Sequence, residues 1–187
     1  LHDIGKITIP SEILSKPMRL SAIEMVVADG GSRDRTREIV LALQGEYPNL
    51  RLIDNPKRLQ SAAVNLAAQG AGAGRSILVR CDAHAIYPEN YVMRVADSLV
   101  RHGVASLVVP MDAAGTSCFQ KANAWIVDTP LGSGGSAHRG GKTSGFVDHG
   151  HHAGFERKAF LGIDGYDETF THNEDAECDT RLRKAGG

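Results

Sequence analysis

The chain has 187 residues, with 21 Lys and Arg against 22 Asp and Glu and a formal net charge of −1. That length suits one domain with a core of ordinary size. The balanced charge excludes a general nucleic-acid binder, whose phosphate affinity needs a clear excess of cations. No apolar run approaches the roughly 20 residues that span a bilayer. Cys81, Cys118 and Cys178 are an odd, widely spaced set without a CxxC pair. They suit a reducing compartment and buried thiols better than a disulfide framework or a zinc knuckle. The expectation is a soluble, cytosolic-side α/β enzyme or a fragment of one. The opening at Leu1 and the stop at Ala185-Gly186-Gly187, directly behind a helical pattern, suggest a piece of a larger protein.

Residues 24–28 form a short apolar run closed by Asp29-Gly30-Gly31-Ser32, a strand ending in a turn that opens a helix. Thr36, Ile39, Val40 and Leu43 follow at i, i+3, i+4 and i+7, one face of that helix. Leu50–Asp54 reads as a second strand, with Leu59, Ala62, Ala63 and Leu66 marking the next helix. Ser76–Arg80 is a third strand, and after Pro88 come Val92, Val95, Ala96 and Leu99 at helical spacing. Ala105–Pro110 gives a fourth strand and Phe119, Ala122, Asn123 and Ile126 a fourth helix. This alternation indicates βαβ units and a mainly parallel, doubly wound sheet. Residues 130–145 hold six glycines among Ser, Thr and basic residues, the composition of a lid or binding loop. Phe146–Arg157 reads as a last strand, and Asn173–Ala185 as a last helix with Cys178, Leu182 and Ala185 inward.

Ligands of open α/β sheets bind beyond the carboxyl ends of the strands. Asp29, Asp54-Asn55 and Asp82-Ala83-His84 all fall there. A lone Asp at a strand end is usually a turn residue, but three on one edge favour a polar ligand site. In an extended segment Asp82 and His84 point the same way. A carboxylate with an imidazole suits Mn²⁺ or Mg²⁺ held jointly with substrate phosphates. Five of the eight histidines lie between His138 and His172, including His149-Gly150-His151-His152. For any one of them, surface or structural placement is the default. Asn173-Glu174-Asp175-Ala176-Glu177 puts acids in the first turn of the last helix. They either complement the helix N-terminus or supply a positioned general base, and sequence chemistry leaves these two readings even.

From about Glu24 to Gly187 the chain resembles the family 2 glycosyltransferases, inverting enzymes of the Rossmann-like GT-A fold. Within them it looks most like bacterial exopolysaccharide enzymes of the succinoglycan glucosyltransferase type. The resemblance is carried by VVADGGSRDRTREIV (26–40), NPKRLQSAAVNLAA (55–68), LVRCDAHAIYP (78–88), VDHGHHAGFERKAF (147–160) and GIDGYDETFTHNEDAECDTRLRKAGG (162–187). It implies a nucleotide-sugar donor, UDP-glucose, and a lipid-linked saccharide acceptor at the cytosolic face of the inner membrane. Membrane association would come only through regions outside this chain. Asp29, Gly30, Asp54, Asn65, Arg80 and Asp82 would contact the donor, Asp82 and His84 the Mn²⁺ or Mg²⁺. Asp175 would deprotonate the acceptor hydroxyl, Glu174 would orient that region, and His149–His152 would lie near donor or acceptor. In departure from the pattern, residues 1–23 do not match the family's usual first strand, and Arg33 and Arg35 replace small residues after DGGS.

Residues 1–20, LHDIGKITIPSEILSKPMRL, resemble instead a run of the HD-GYP cyclic-dinucleotide phosphodiesterases. There His2 and Asp3 would be metal ligands and Lys6 a phosphate contact, with the remaining ligands unmatched. The expected organisation is therefore a non-matching arm over 1–23 and a glycosyltransferase domain over 24–187. The rival readings are an HD-type phosphohydrolase fragment and an inactive glycosyltransferase remnant.

Overall fold

The computed structural model describes residues 23–71, 74–83, 85–110, 112–127, 129, 132, 145–147 and 150–186. The HD-GYP-like run with His2, Asp3 and Lys6, the residues His84, His138 and His149, and most of the glycine-rich stretch lie outside them.

Five strands and six helices are described, in the order β1 (Met25–Asp29), α1 (Thr36–Gln44), β2 (Leu50–Asp54), α2 (Gln60–Gly70), β3 (Ile77–Val79), α3 (Tyr91–His102), β4 (Ser106–Val108), α4 (Cys118–Val127), β5 (His152–Glu156), α5 (Arg157–Gly162) and α6 (Glu174–Lys184). The β1-α1-β2 unit is parallel, with Met25 beside Leu50 and Asp29 beside Asp54. In the second sheet the order is β3-β5-β4, and β5 runs antiparallel to both neighbours. The expected α/β alternation is present, and β3 and β4 share a direction as a helical crossover requires. β5 is the exception to that shared direction. It follows the long connection through α4, which buries none of its side chains, and it inserts between β3 and β4 the other way.

β5 is the centre of the molecule. His152, Ala153, Gly154 and Phe155 are all buried, so the period-2 alternation of a one-sided strand is absent. On one face Phe155 packs with Phe160 of α5, Tyr166, and Cys178 and Leu182 of α6. The Phe155 and Phe160 rings lie 4.6 Å apart. On the other, Ala153 meets Tyr91, Val95 and Leu99 of α3. Gly154 is where α3 comes closest, since a Cβ there would sit 2.8 Å from both the Leu78 carbonyl and Val95 Cγ1. Burial of such side chains supplies about 1.5–3 kcal/mol each.

Several expected inward faces differ. Val40 of α1 is buried, whereas Ile39 is 47% exposed. The buried face of α2 is Ser61, Ala62, Asn65 and Ala68, so of the expected stripe Ala62 is buried and Leu59, Ala63 and Leu66 are only half-buried. Helix α4 buries none of its residues, and Phe119 and Ile126 are exposed. Ala185 is an exposed residue just past α6. Cys178 is buried, but Cys81 and Cys118 are exposed.

Candidate active site

At the carboxyl end of the first sheet the parallel register sets Asp29 beside Asp54. Asp29 is 3% exposed and folds the following turn onto itself. Its Oδ2 accepts from Gly31 N–H at 3.2 Å and its Oδ1 from Ser32 N–H at 3.1 Å, with the Ser32 hydroxyl donating as well. Arg37, on the first turn of α1, donates through Nη1 to Asp29 Oδ2 and to Asp54 Oδ1, both at 2.7 Å. Burial opposes ionisation of Asp29, but the bonds from Ser32 and Arg37 outweigh it and hold its carboxyl below the usual carboxylate range. Asp54 stands open to solvent.

The second sheet carries a denser cluster. Arg80 follows β3 and is almost wholly enclosed, with 7% of its side chain exposed. Its Nε donates to Asp82 Oδ1 at 3.2 Å and its Nη1 to Asp175 Oδ1 at 3.1 Å, so one guanidinium ties a strand-end loop to α6. Gln60 at the start of α2 donates to Asp82 Oδ1 at 2.9 Å, and His151 Nε2 lies 3.2 Å from Asp82 Oδ2. Burial works against the charge on Asp82, yet the His151 ring and Arg80 overcome it and keep the carboxylate ionised. For Asp175 burial acts in the same sense. It is outweighed by His152, Arg80 and the Tyr166 hydroxyl, which bring its pKa down to about 2. The Tyr166 O–H donates to Asp175 Oδ1 at 2.8 Å.

The loop between α5 and α6 is held by Asn65. Its amide nitrogen donates to the Tyr166 carbonyl at 2.8 Å and to Glu168 Oε1 at 2.9 Å, and its oxygen accepts from Tyr166 N–H at 2.9 Å. Gly165 makes this possible: its φ is +70° and a Cβ would lie 2.3 Å from Asn65 Oδ1. With both amide hydrogens engaged, Asn65 serves this chain's own loop, which carries Tyr166 into the cluster. Glu174 opens α6 half-buried and without a side-chain partner among the described residues. Asn173 precedes it at φ 60° and makes no side-chain cap bond.

The family model for glycosyl transferase family 2 matches residues 12–163. The chain belongs to glycosyl transferase family 2. That match begins ahead of Glu24, inside the stretch read from sequence as a non-matching arm. The succinoglycan biosynthesis protein ExoA of Rhizobium meliloti (strain 1021) is 51% identical over 162 residues, covering 87% of this chain and 49% of ExoA. The chain thus spans about half the length of this curated relative. Two Staphylococcus aureus TarS crystal structures share the fold. One, of residues 1–349 in complex with UDP, has a TM-score of 0.64 at 15% identity, covering 95% of this chain and 51% of that one. The other has a TM-score of 0.60 at 15% identity, covering 92% of this chain and 30% of that one.

Glycosyltransferases of this family typically use a divalent cation. Asp82 offers an ionised oxygen and His151 a ring nitrogen 3.2 Å away. Among the described residues no group of three or more His, Cys, Asp and Glu side chains gathers. Two donors fit an ion that completes its shell with a diphosphate and water. Of the residues expected from sequence, the structure brings Arg80, Asp82 and Asp175 into one network. It places Asp29, Gly30 and Asp54 at the neighbouring sheet edge, and Asn65 against the α5–α6 loop. Sequence reasoning named His149–His152 only as lying near donor or acceptor, and it missed Arg37, Gln60, Tyr166 and Asp179. One signal was available: Asp175 and Asp179 are four apart on a helix, and so share a face.

Proposed function

We propose that this chain is the donor-binding and catalytic half of an inverting, metal-dependent glycosyltransferase. It would move a sugar, glucose from UDP-glucose, onto a lipid-linked saccharide in exopolysaccharide biosynthesis. The observation that carries this reading is the Asp82–Arg80–Asp175 network. A carboxylate suited to a cation and one suited to a proton are linked by a single buried guanidinium across two elements. Family membership and the likeness to ExoA support the transferase chemistry and the polymer class. The UDP named for the TarS structure is consistent with a uridine donor.

In this reading Asp29, Gly30 and Asp54 meet the nucleoside at the end of the first sheet, and Asp82, with His151 and His84, would hold Mn²⁺ or Mg²⁺. The ion would offset the charge growing on the departing diphosphate. Asp175 accepts the proton from the acceptor hydroxyl as its oxygen attacks the anomeric carbon. Oδ1 of Asp175 already accepts from Arg80 and Tyr166, so Oδ2 is the oxygen left to take that proton. A pKa near 2 makes Asp175 a weak base in the ground state, so it takes the proton only as attack on the anomeric carbon makes the hydroxyl acidic. The enzyme would work at the cytosolic face of the inner membrane. No helix among the described residues is long and apolar enough to cross a membrane.

Titration calorimetry of UDP and UDP-glucose with and without Mn²⁺ tests the donor half, on the parent chain and on Asp82→Ala. Binding that needs the metal and disappears in the variant is expected. A folded parent chain that binds neither nucleotide overturns the reading. The Asp175→Asn variant should keep UDP affinity and lose turnover by roughly 100-fold or more.

A further inference from the structure

His152 is the most enclosed polar side chain of the cluster, with 0% exposure at the head of β5. Its Nδ1 lies 3.0 Å from Asp175 Oδ1 and 2.8 Å from the Tyr166 hydroxyl, and its Nε2 lies 2.8 Å from Asp179 Oδ1. Asp175 and Asp179 are one turn apart on α6, so the ring bridges two successive turns of that helix from the strand beneath it. Asp179 is also met by the Ser106 hydroxyl of β4, which donates to the same oxygen at 3.4 Å. Each ring nitrogen faces a carboxylate oxygen, an acceptor, so each donates its hydrogen. Burial disfavours the charged ring, but the two carboxylates outweigh it and raise its pKa.

We propose that His152 is a positioning residue for Asp175: braced against Asp179, it fixes the Asp175 carboxylate through Oδ1 and leaves Oδ2 to the acceptor. The physical need is specific. A carboxylate on the first turn of a helix has free rotation about two bonds, and misplacement by about 1 Å costs on the order of 100-fold in rate. Arg80 and Tyr166 approach Oδ1 from the neighbouring strand end and from the α5–α6 loop. His152 supplies the third direction, from the floor of the site, and three non-collinear donors on one oxygen define the orientation of the group. This proposal rests on the assignment of Asp175 as the base.

Two substitutions separate the two ends of the ring. In His152→Asn the amide nitrogen can stand where Nδ1 stood and reach Asp175, while the tie to Asp179 is lost. In His152→Gln the amide stands where Nε2 stood and reaches Asp179 instead. Release of UDP from UDP-glucose, with Mn²⁺ and water as acceptor, should fall about 100-fold in kcat for His152→Gln and no more than about tenfold for His152→Asn. UDP affinity by calorimetry should stay within about twofold of the parent in both. Combined with Asp175→Asn, His152→Gln should produce no further loss, because it acts only through Asp175.

Crystal structures of His152→Gln and Asp179→Asn supply a readout independent of turnover. The Asp175 carboxylate is expected to leave its 3.1 Å contact with Arg80 in the first, and to loosen it in the second. An Asp175 that keeps its contacts with Arg80 and Tyr166 in both variants overturns the proposal. So does a kcat for His152→Gln equal to that of the parent. Retained UDP release in Asp175→Asn instead overturns the base assignment itself, which is a different failure with a different signature.

Discussion

The two sheets solve the same electrostatic problem in opposite ways. At the end of the first, Arg37 pairs Asp29 with Asp54, but 39% of the Arg37 side chain and 77% of that of Asp54 are exposed. At the end of the second, Arg80 pairs Asp82 with Asp175 with only 7% of its side chain in contact with solvent. Water screens the first trio and allows it to rearrange around a ligand. The second is enclosed by β5, α6 and the α5–α6 loop, and its charges depend on one another. The exposed edge is therefore suited to exchange partners with a nucleoside, and the enclosed one to hold catalytic groups still.

Substitution of the two arginines should expose this difference most strongly. Arg80→Met leaves two enclosed carboxylates without their shared cation, and should cost about 3–5 kcal/mol of unfolding free energy in a urea titration. A loss below about 1 kcal/mol would show that His151, His152 and Tyr166 suffice to hold those charges. Acid titration sharpens the contrast at the next level. The pKa of Asp175 is lowered from 3.8 to about 2 in the folded chain. Its contribution is present above the unfolded value and is lost as pH falls through the folded one, an effect of about 2 kcal/mol. The stability gap between the parent and Asp175→Asn should accordingly shrink by that amount between about pH 6 and pH 2, read as converging urea midpoints. The smallest effect belongs to Arg37→Ala, at roughly 0–1 kcal/mol. A larger loss would mean that Asp29, the buried member of the exposed trio, governs it.

Much of the architecture was legible from local pattern. The strand at Leu50–Asp54 matches its sequence reading residue for residue, because an apolar run closed by Asp-Asn-Pro has no helical alternative of comparable quality. The carboxylates at strand ends were legible for a related reason: ligands of open α/β sheets bind beyond the carboxyl ends of the strands. The glycine-flanked turn at Asp29 likewise announces itself, since its hydrogen bonds reach only two and three residues ahead.

Contacts remote in sequence were not legible in this way. The direction of β5 was hidden because a strand buried on both faces shows no alternation, and nothing local states which neighbours it joins. The polar face of α2 was hidden for the opposite reason. Asn65 turns inward only because Tyr166 and Glu168, about a hundred residues on, give its amide partners. His152 stood in a run of histidines whose default is the surface, and it became the floor of the site because α6 lays Asp175 and Asp179 over it. Sequence by itself determined the family, the order of strands and helices and the acids at the strand ends, each read from patterns that run along the chain. The tertiary structure decided which cation serves which acid, because a charge leaves water only where distant elements bring its partners to meet it.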